Sequence, residues 1–254
     1  MRRNALLVFL ALAFASIVAS AQVSTAPVRV LSSNGVKAAL MELRLRAERI
    51  IGRPISIEFS TASSIKQKIE SGAPFDVVIV TKEAVEDLTH QGKIAPRLPR
   101  ASLAKTGIGV GYRKGATKPD VRNMDAIKRT LLNAKSVAYT RDGASRPAID
   151  RMIASLGIAK DLQPKTLLEE AGQAPLRVSE GKAELVLTLI SEILPVEGIR
   201  LAGPIPKEFQ SYVAFEAGLS ATSQNSDSAK ALIQFLSSST AAAAFKATGM
   251  EPSK

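Results

Sequence analysis

One run of five residues, Asp76-Val77-Val78-Ile79-Val80, restricts the fold of this chain more than any other. After its first residue it is apolar on both faces, so neither side of the strand it predicts can meet water. A strand of that kind belongs inside a parallel sheet, and parallel neighbours need a crossover between them, usually a helix. The preceding sequence supplies two such units. Val28-Arg29-Val30-Leu31 reads as a strand, the turn Ser32-Ser33-Asn34-Gly35 follows, and Val36, Ala39, Leu40, Leu43, Ala47 and Ile50 recur at helical spacing. Gly52 and Pro54 stop that helix. Ile55, Ile57 and Phe59 alternate as a second strand, and Ile65 and Ile69 mark one side of a short helix closed by Gly72-Ala73-Pro74. Two successive βαβ units are the economical reading.

The alternation continues with a helix over 83–91, a strand over 106–112 and helices near 123–133 and 147–156 with a strand at 136–139 between them. A helix near 174–181 precedes an apolar strand at 185–188. The run AGPIPKEFQ interrupts the series, and SYVAFEAGL reads as a long strand. Helices over 226–236 and 240–246 end the chain, with Ala229, Leu232, Ile233 and Leu236 as a core-facing stripe. Two α/β lobes fit better than one large sheet. Residues 22–106 with 207–254 form the first and 107–206 the second, so two segments cross between them.

In open α/β sheets, ligands sit beyond the carboxyl ends of the strands. Three such exits are rich in small polar residues, at 32–35, 60–64 and 140–146, and each precedes a predicted helix. Unpaired N–H groups and positive dipole ends would then point into one region, which binds anions without charged side chains. Hydroxyls add donors that rotate to suit a ligand. The same Ser, Thr and Asn residues are equally good N-caps, each bonding only to its own helix. Ser60, at the end of its strand, is not counted among the ligands. Arg146, directly before Pro147, either clamps a carboxylate beside the helix amides or lies along the surface.

Composition narrows the chemistry. Arg2 and Arg3, an uncharged apolar run and Ala19-Ser20-Ala21 describe a cleaved signal peptide over 1–21, and hence an exported, periplasmic chain. Zero cysteine excludes disulfides, thiolate nucleophiles and Cys metal sites. The single histidine, His90, sits at a predicted helix end where a cation suits the dipole. No protein-ligated metal and no cofactor is expected. The net charge of +11, or +9 once Arg2 and Arg3 leave with the leader, is scattered rather than gathered into an arm or a nucleic-acid motif. Nucleic acid is therefore set aside, and a solvated basic surface or steering of small anions remains.

VRVLSSNGVKAAL, FSTASSIKQKIESGAPFDVVIV and the terminal FKATGMEP resemble periplasmic solute-binding proteins of the molybdate-binding type, over essentially the whole mature chain. The I-x-x-GAP-x-D element, residues 69–76, is the most specific piece. The resemblance implies the type II periplasmic binding protein fold, two α/β lobes joined by crossover strands with a ligand cleft between them. It also implies capture of a small anion, a molybdate-like oxyanion or a small carboxylate, for the permease of a membrane ABC importer; a monomer is expected. Residue by residue it places contacts at Ser33 and Asn34, beside Gly35 where the family carries a serine, at Ser63 flanked by Ser64, at Ser145, and at Ser191. Where a glycine is usual this chain has Arg146, which would suit a planar carboxylate, and where a tyrosine is usual it has Leu189.

Aconitate isomerase, a periplasmic enzyme similar to the same family, supplies the alternative. Moving the allylic double bond of a tricarboxylate needs a base and donors for the developing carbanion. Glu192, Lys82 and Tyr139 are the candidate catalytic residues, while the pair Glu169-Glu170 reads as a solvated face.

Overall fold

The computed structural model describes residues 26–96 and 100–253; the predicted signal peptide lies outside the described residues. The chain opens with strand β1 (Val28–Ser33), a 3-10 turn and helix α1 (Lys37–Ile51), which stops where Gly52 takes a left-handed φ of 66°. Then come β2 (Ile55–Ser60), α2 (Ala62–Glu70), β3 (Val77–Thr81) and α3 (Lys82–His90). β1 lies between β2 and β3 and runs parallel to both, with Val28 opposite Ile55 and Val30 opposite Val77.

The apolar run is buried on both faces, and Val77 to Val80 are all at 0% exposure. Alternate side chains serve different cores, as a two-residue period requires. Val77 and Ile79 pack with Leu40 and Leu43 of α1, whereas Val78 and Val80 pack with Ile65 and Ile69 of α2 and Leu88 of α3. Asp76, which begins the run, is fully buried. It accepts bonds from the Arg29 amide at 2.8 Å, Ser223 Oγ at 2.8 Å and Asn225 Nδ2 at 3.3 Å, with Arg29 Nε also at 3.3 Å. The most specific sequence element is thus a structural tie between the start of β1 and the segment before the C-terminal helices.

The chain then forms β4 (Ala101–Thr106) and β5 (Ile108–Arg113), α4 (Met124–Asn133), β6 (Val137–Thr140), α5 (Arg146–Ser155) and α6 (Ala159–Leu162). β7 (Thr166–Glu169), α7 (Ala174–Ser179), β8 (Leu185–Leu189), α8 (Ile190–Ile193) and β9 (Ile199–Pro204) complete a second sheet of order β7-β6-β8-β5-β9. β10 (Val213–Leu219), α9 (Ser226–Leu236), α10 (Ser239–Ala247) and β11 (Glu251–Pro252) return to the first sheet, whose order is β11-β4-β10-β3-β1-β2.

Three details differ from the sequence reading. The expected strand over 106–112 is two strands in different sheets, broken at Gly107. Gln210, in the returning segment, brackets that break: its Oε1 accepts the Ile108 amide at 2.8 Å and its Nε2 donates to the Ile108 carbonyl at 2.9 Å. Part of the run taken as an interruption is β9; it pairs only with β5, an edge position that tolerates its terminal Pro204. The short edge strand β7 has too few residues to show a period. Its one acid, Glu169, is ion-paired to Arg177 Nε at 3.0 Å with only 15% of its side chain exposed, so of the pair Glu169-Glu170 only Glu170 is a solvated acid.

Candidate functional site

Five strand exits meet between the two sheets. Ser33 and Asn34 follow β1, Ser60 to Ala62 follow β2, and Thr140 with Gly143 to Ser145 follow β6. Ala171 and Gly172 follow β7, while Leu189 and Glu192 come from the β8–α8 junction. The space they enclose is about 10 Å³, room for roughly one water. Among the described residues its wall holds no lysine and no arginine, so the polarity comes from hydroxyls, amides and one carboxyl.

Which hydroxyls are free depends on which are already spent as caps. Ser33 Oγ accepts the Gly35 amide at 3.4 Å, and Thr61 Oγ1 accepts the Ser64 amide at 3.1 Å, as N-caps do. Thr61 also takes the Ile65 amide on its carbonyl at 3.0 Å, so the Ala62 and Ser63 amides are the orphans of that helix end. Ser145 behaves differently. It holds the N-cap position of α5 and is 2% exposed, yet its side chain makes no cap bond. Ser60, Thr140 and Ser145 make no side-chain hydrogen bond to the described residues, and Ser33 only accepts at its Oγ, so four hydroxyls in the wall keep an O–H to donate.

Glu192 is the one acid in this wall. The residue is partly exposed, but its carboxyl is packed around by protein and bonds to Thr188 Oγ1. Burial pushes the carboxyl above the ordinary glutamate range, and the Thr188 bond offsets only part of that shift.

The two sides of the cleft are tied directly. Thr61 Oγ1 and Ser64 Oγ, on the first side, both donate to Asp142 Oδ2 on the second, at 2.8 and 3.2 Å. Ser191 Oγ donates to the Gly35 carbonyl at 2.7 Å. Gly35 itself has no room for a side chain: a Cβ there would lie 2.3 Å from Phe215 Cζ and 3.0 Å from Leu189 Cδ1. The turn at Gly35 is thus closely packed on β10.

The structure therefore brings together Ser33, Asn34, Ser145 and Glu192 from the predicted residues, and adds Ser60, Thr61, Thr140, Gly172 and Leu189. Ser63 and Ser64 are not in this wall. α2 starts at Ala62, so both fall in its first turn, Ser63 exposed and Ser64 turned to Asp142. Arg146 does not enter the cleft either. Its Nε bonds both Asp150 oxygens at 2.7 and 2.8 Å, one helical turn on, and its guanidinium lies 5.0 Å above the Tyr139 ring. Arg146 and Tyr139 line a separate surface depression with Asp150 and Thr166. Lys82 is 53% exposed and faces Glu86 at 4.0 Å. Ser191 is buried and spent on Gly35. The missed residues carried a signal in part: Ala171-Gly172 ends a short acidic run as a helix approaches, but β7 had to be seen first.

Comparison with known proteins follows the same lines. Residues 28–251 match the family described as bacterial extracellular solute-binding protein. An aconitate isomerase from a Pseudomonas species is 32% identical over 229 residues, covering 88% of this chain and 87% of that protein. A molybdate-binding protein of Escherichia coli strain K12 is 22% identical over 252 residues, 94% of each. The solved periplasmic molybdate-binding protein of Azotobacter vinelandii superposes with a TM-score of 0.76 at 18% identity, over 89% of this chain and 100% of that one.

Proposed function

The chain belongs to the bacterial extracellular solute-binding protein family, and from that premise we propose that it captures a small anion between its lobes in the periplasm. The loaded monomer then presents the anion to the permease of an ABC importer. The observation that carries this reading is the cleft wall: helix starts from both sides, four hydroxyls with an O–H to donate, and no lysine or arginine among the described residues that line it. Preorganised neutral donors in a water-poor space favour a compact mono- or dianion, because each N–H and O–H gains strength where water is excluded. Glu192 fits the same role when protonated, since a neutral carboxylic acid adds an O–H donor rather than a repelling charge. Entry requires the lobes, 22–106 with 207–254 and 107–206, to part at Gly107 and the Gln210 segment and to release the Asp142 bonds.

A thermal-shift panel of molybdate, tungstate, sulfate, acetate, citrate and both aconitate isomers tests it. An anion at 100 times its dissociation constant adds about 2.7 kcal/mol to stability. At least one compact anion is expected to raise the melting temperature, with the rise reduced in Ser145→Ala. A panel in which no anion shifts the protein overturns the reading.

Glu192, together with the 32% identical aconitate isomerase, favours one second reading. A carboxyl raised towards neutrality is suited to general base work. It would take the allylic proton of a tricarboxylate, the pair of electrons shifting the double bond, and return a proton at the other end. The cleft donors would hold the carboxylate that bears the developing charge. Of the three candidate catalytic residues, only Glu192 adjoins those donors. Isomer conversion, or deuterium uptake from heavy water, by the purified chain and its loss in Glu192→Gln would establish that activity; neither reaction in the wild type refutes it.

A further inference from the structure

Beside the donor-lined cleft runs a second cavity of about 230 Å³, and the two share Asn34, Gly172 and Glu192 as a common wall. Its other sides come from both lobes: Lys37 and Met41 of α1, Pro175 and Leu176 of α7, and Pro195 and Val196 beyond α8. Apart from the shared wall it is mainly aliphatic. The cation in it, Lys37, holds its ammonium over the Phe59 ring at 5.6 Å. Met41 and Leu176 both line the groove at 48% and 36% exposure, large apolar side chains left against water. Within the shared wall Gly172, at φ 76°, comes up to Asn34: a Cβ there would lie 3.4 Å from Asn34 Nδ2.

Resting on the anion-capture reading, we infer that the ligand is an organic monocarboxylate with a short aliphatic tail, its head among the cleft donors and its tail in this groove. An inorganic oxyanion leaves the groove unused. A tricarboxylate would press further charges against Met41, Leu176, Pro195 and Val196, where Lys37 is already engaged. At about 230 Å³ against about 10 Å³ for the donor-lined space, the groove has room for a chain of several methylenes. Because both lobes supply its walls, a tail there adds apolar contact as the lobes close and so couples tail length to closure.

Calorimetric titration of the mature chain with straight-chain acids from acetate through octanoate, with molybdate as a head-only probe, tests this. Affinity is expected to rise about fourfold per methylene, the equivalent of ~0.8 kcal/mol of burial, and to level off once the groove is full. Met41→Glu, a substitution at an exposed helix position, is expected to flatten that rise. Acetate or molybdate binding with no dependence on tail length overturns the tail site and leaves anion capture standing. Binding of none of these probes overturns both. A full chain-length gain in Met41→Glu, or tighter binding of cis-aconitate than of every aliphatic acid, also overturns the tail assignment.

Discussion

Gly35→Ser would install the side chain that the resemblance led us to expect at this point, and the structure makes it costly. The new Cβ would sit 2.3 Å from Phe215 Cζ, where an ordinary contact is above 3.4 Å, so more than an ångström must be recovered by movement. Phe215 is 1% exposed and among the largest fully buried side chains, so its ring cannot swing aside into solvent. The alternative is for the turn to lift off β10, which would strain the 2.7 Å bond from Ser191 to the Gly35 carbonyl. Overpacking of this kind costs roughly 1–3 kcal/mol, which lowers the melting temperature by about 2–12 °C at ~2–4 °C per kcal/mol for a chain of this size. A double-mutant cycle by calorimetry or urea melts isolates the cause. Phe215→Leu removes the atom in the way, so the pair should be less destabilised than the two single changes together, with a coupling of about 1 kcal/mol or more. Additivity within ~0.5 kcal/mol, or an unchanged melting temperature in Gly35→Ser, would refute the reasoning.

Other expectations follow from the same contacts. Asp76→Ala empties a fully buried position and leaves the part-buried donors of Arg29, Ser223 and Asn225 without their acceptor, and should cost about 3 kcal/mol in urea melts at neutral pH. Burial alone would raise that carboxyl, but the donors from Arg29, Ser223 and Asn225 outweigh it and hold it below its ordinary range. Its contribution is thus present above the unfolded value of ~3.9 and lost as pH falls through the folded one, so the gap between wild type and variant should narrow in acid. Glu192 has the opposite sign. Burial raises its folded pKa, so the wild type loses stability as pH climbs from the unfolded value of ~4.3 through the folded one, and Glu192→Gln does not. A stability difference between the two that does not change with pH counts against this. Asp142→Ala removes the Thr61 and Ser64 bonds across the cleft, at an exposed site where the stability change should stay within ~1 kcal/mol. Small-angle scattering should show a more open chain, and an unaltered curve rejects the latch.

The strands and helices that build the cleft were legible wherever a period ran long enough to be counted, as in α1, α9 and the buried run of β3. Legibility failed where tertiary partners decide. The run over 106–112 breaks at Gly107, where Gln210, about a hundred residues away, brackets the break. The site divides in the same way. Small polar residues at the strand exits pointed to loops that the fold gathers around the cleft, because a helix start after a parallel strand is an anion-binding geometry whichever residue caps it. Which hydroxyl serves a ligand depends on which has been spent, and that is a matter of position within a turn. Thr61 takes the cap of α2, which moves Ser63 and Ser64 into the helix; Ser145 holds a cap position without using it. Arg146 was drawn off by Asp150 one turn along its own helix and by the Tyr139 ring. The most specific motif marks the frame, since Asp76 spends its oxygens on the fold. The GAP-x-D element and the exit hydroxyls are thus separate parts of the sequence, the one spent on the fold and the other left facing the cleft.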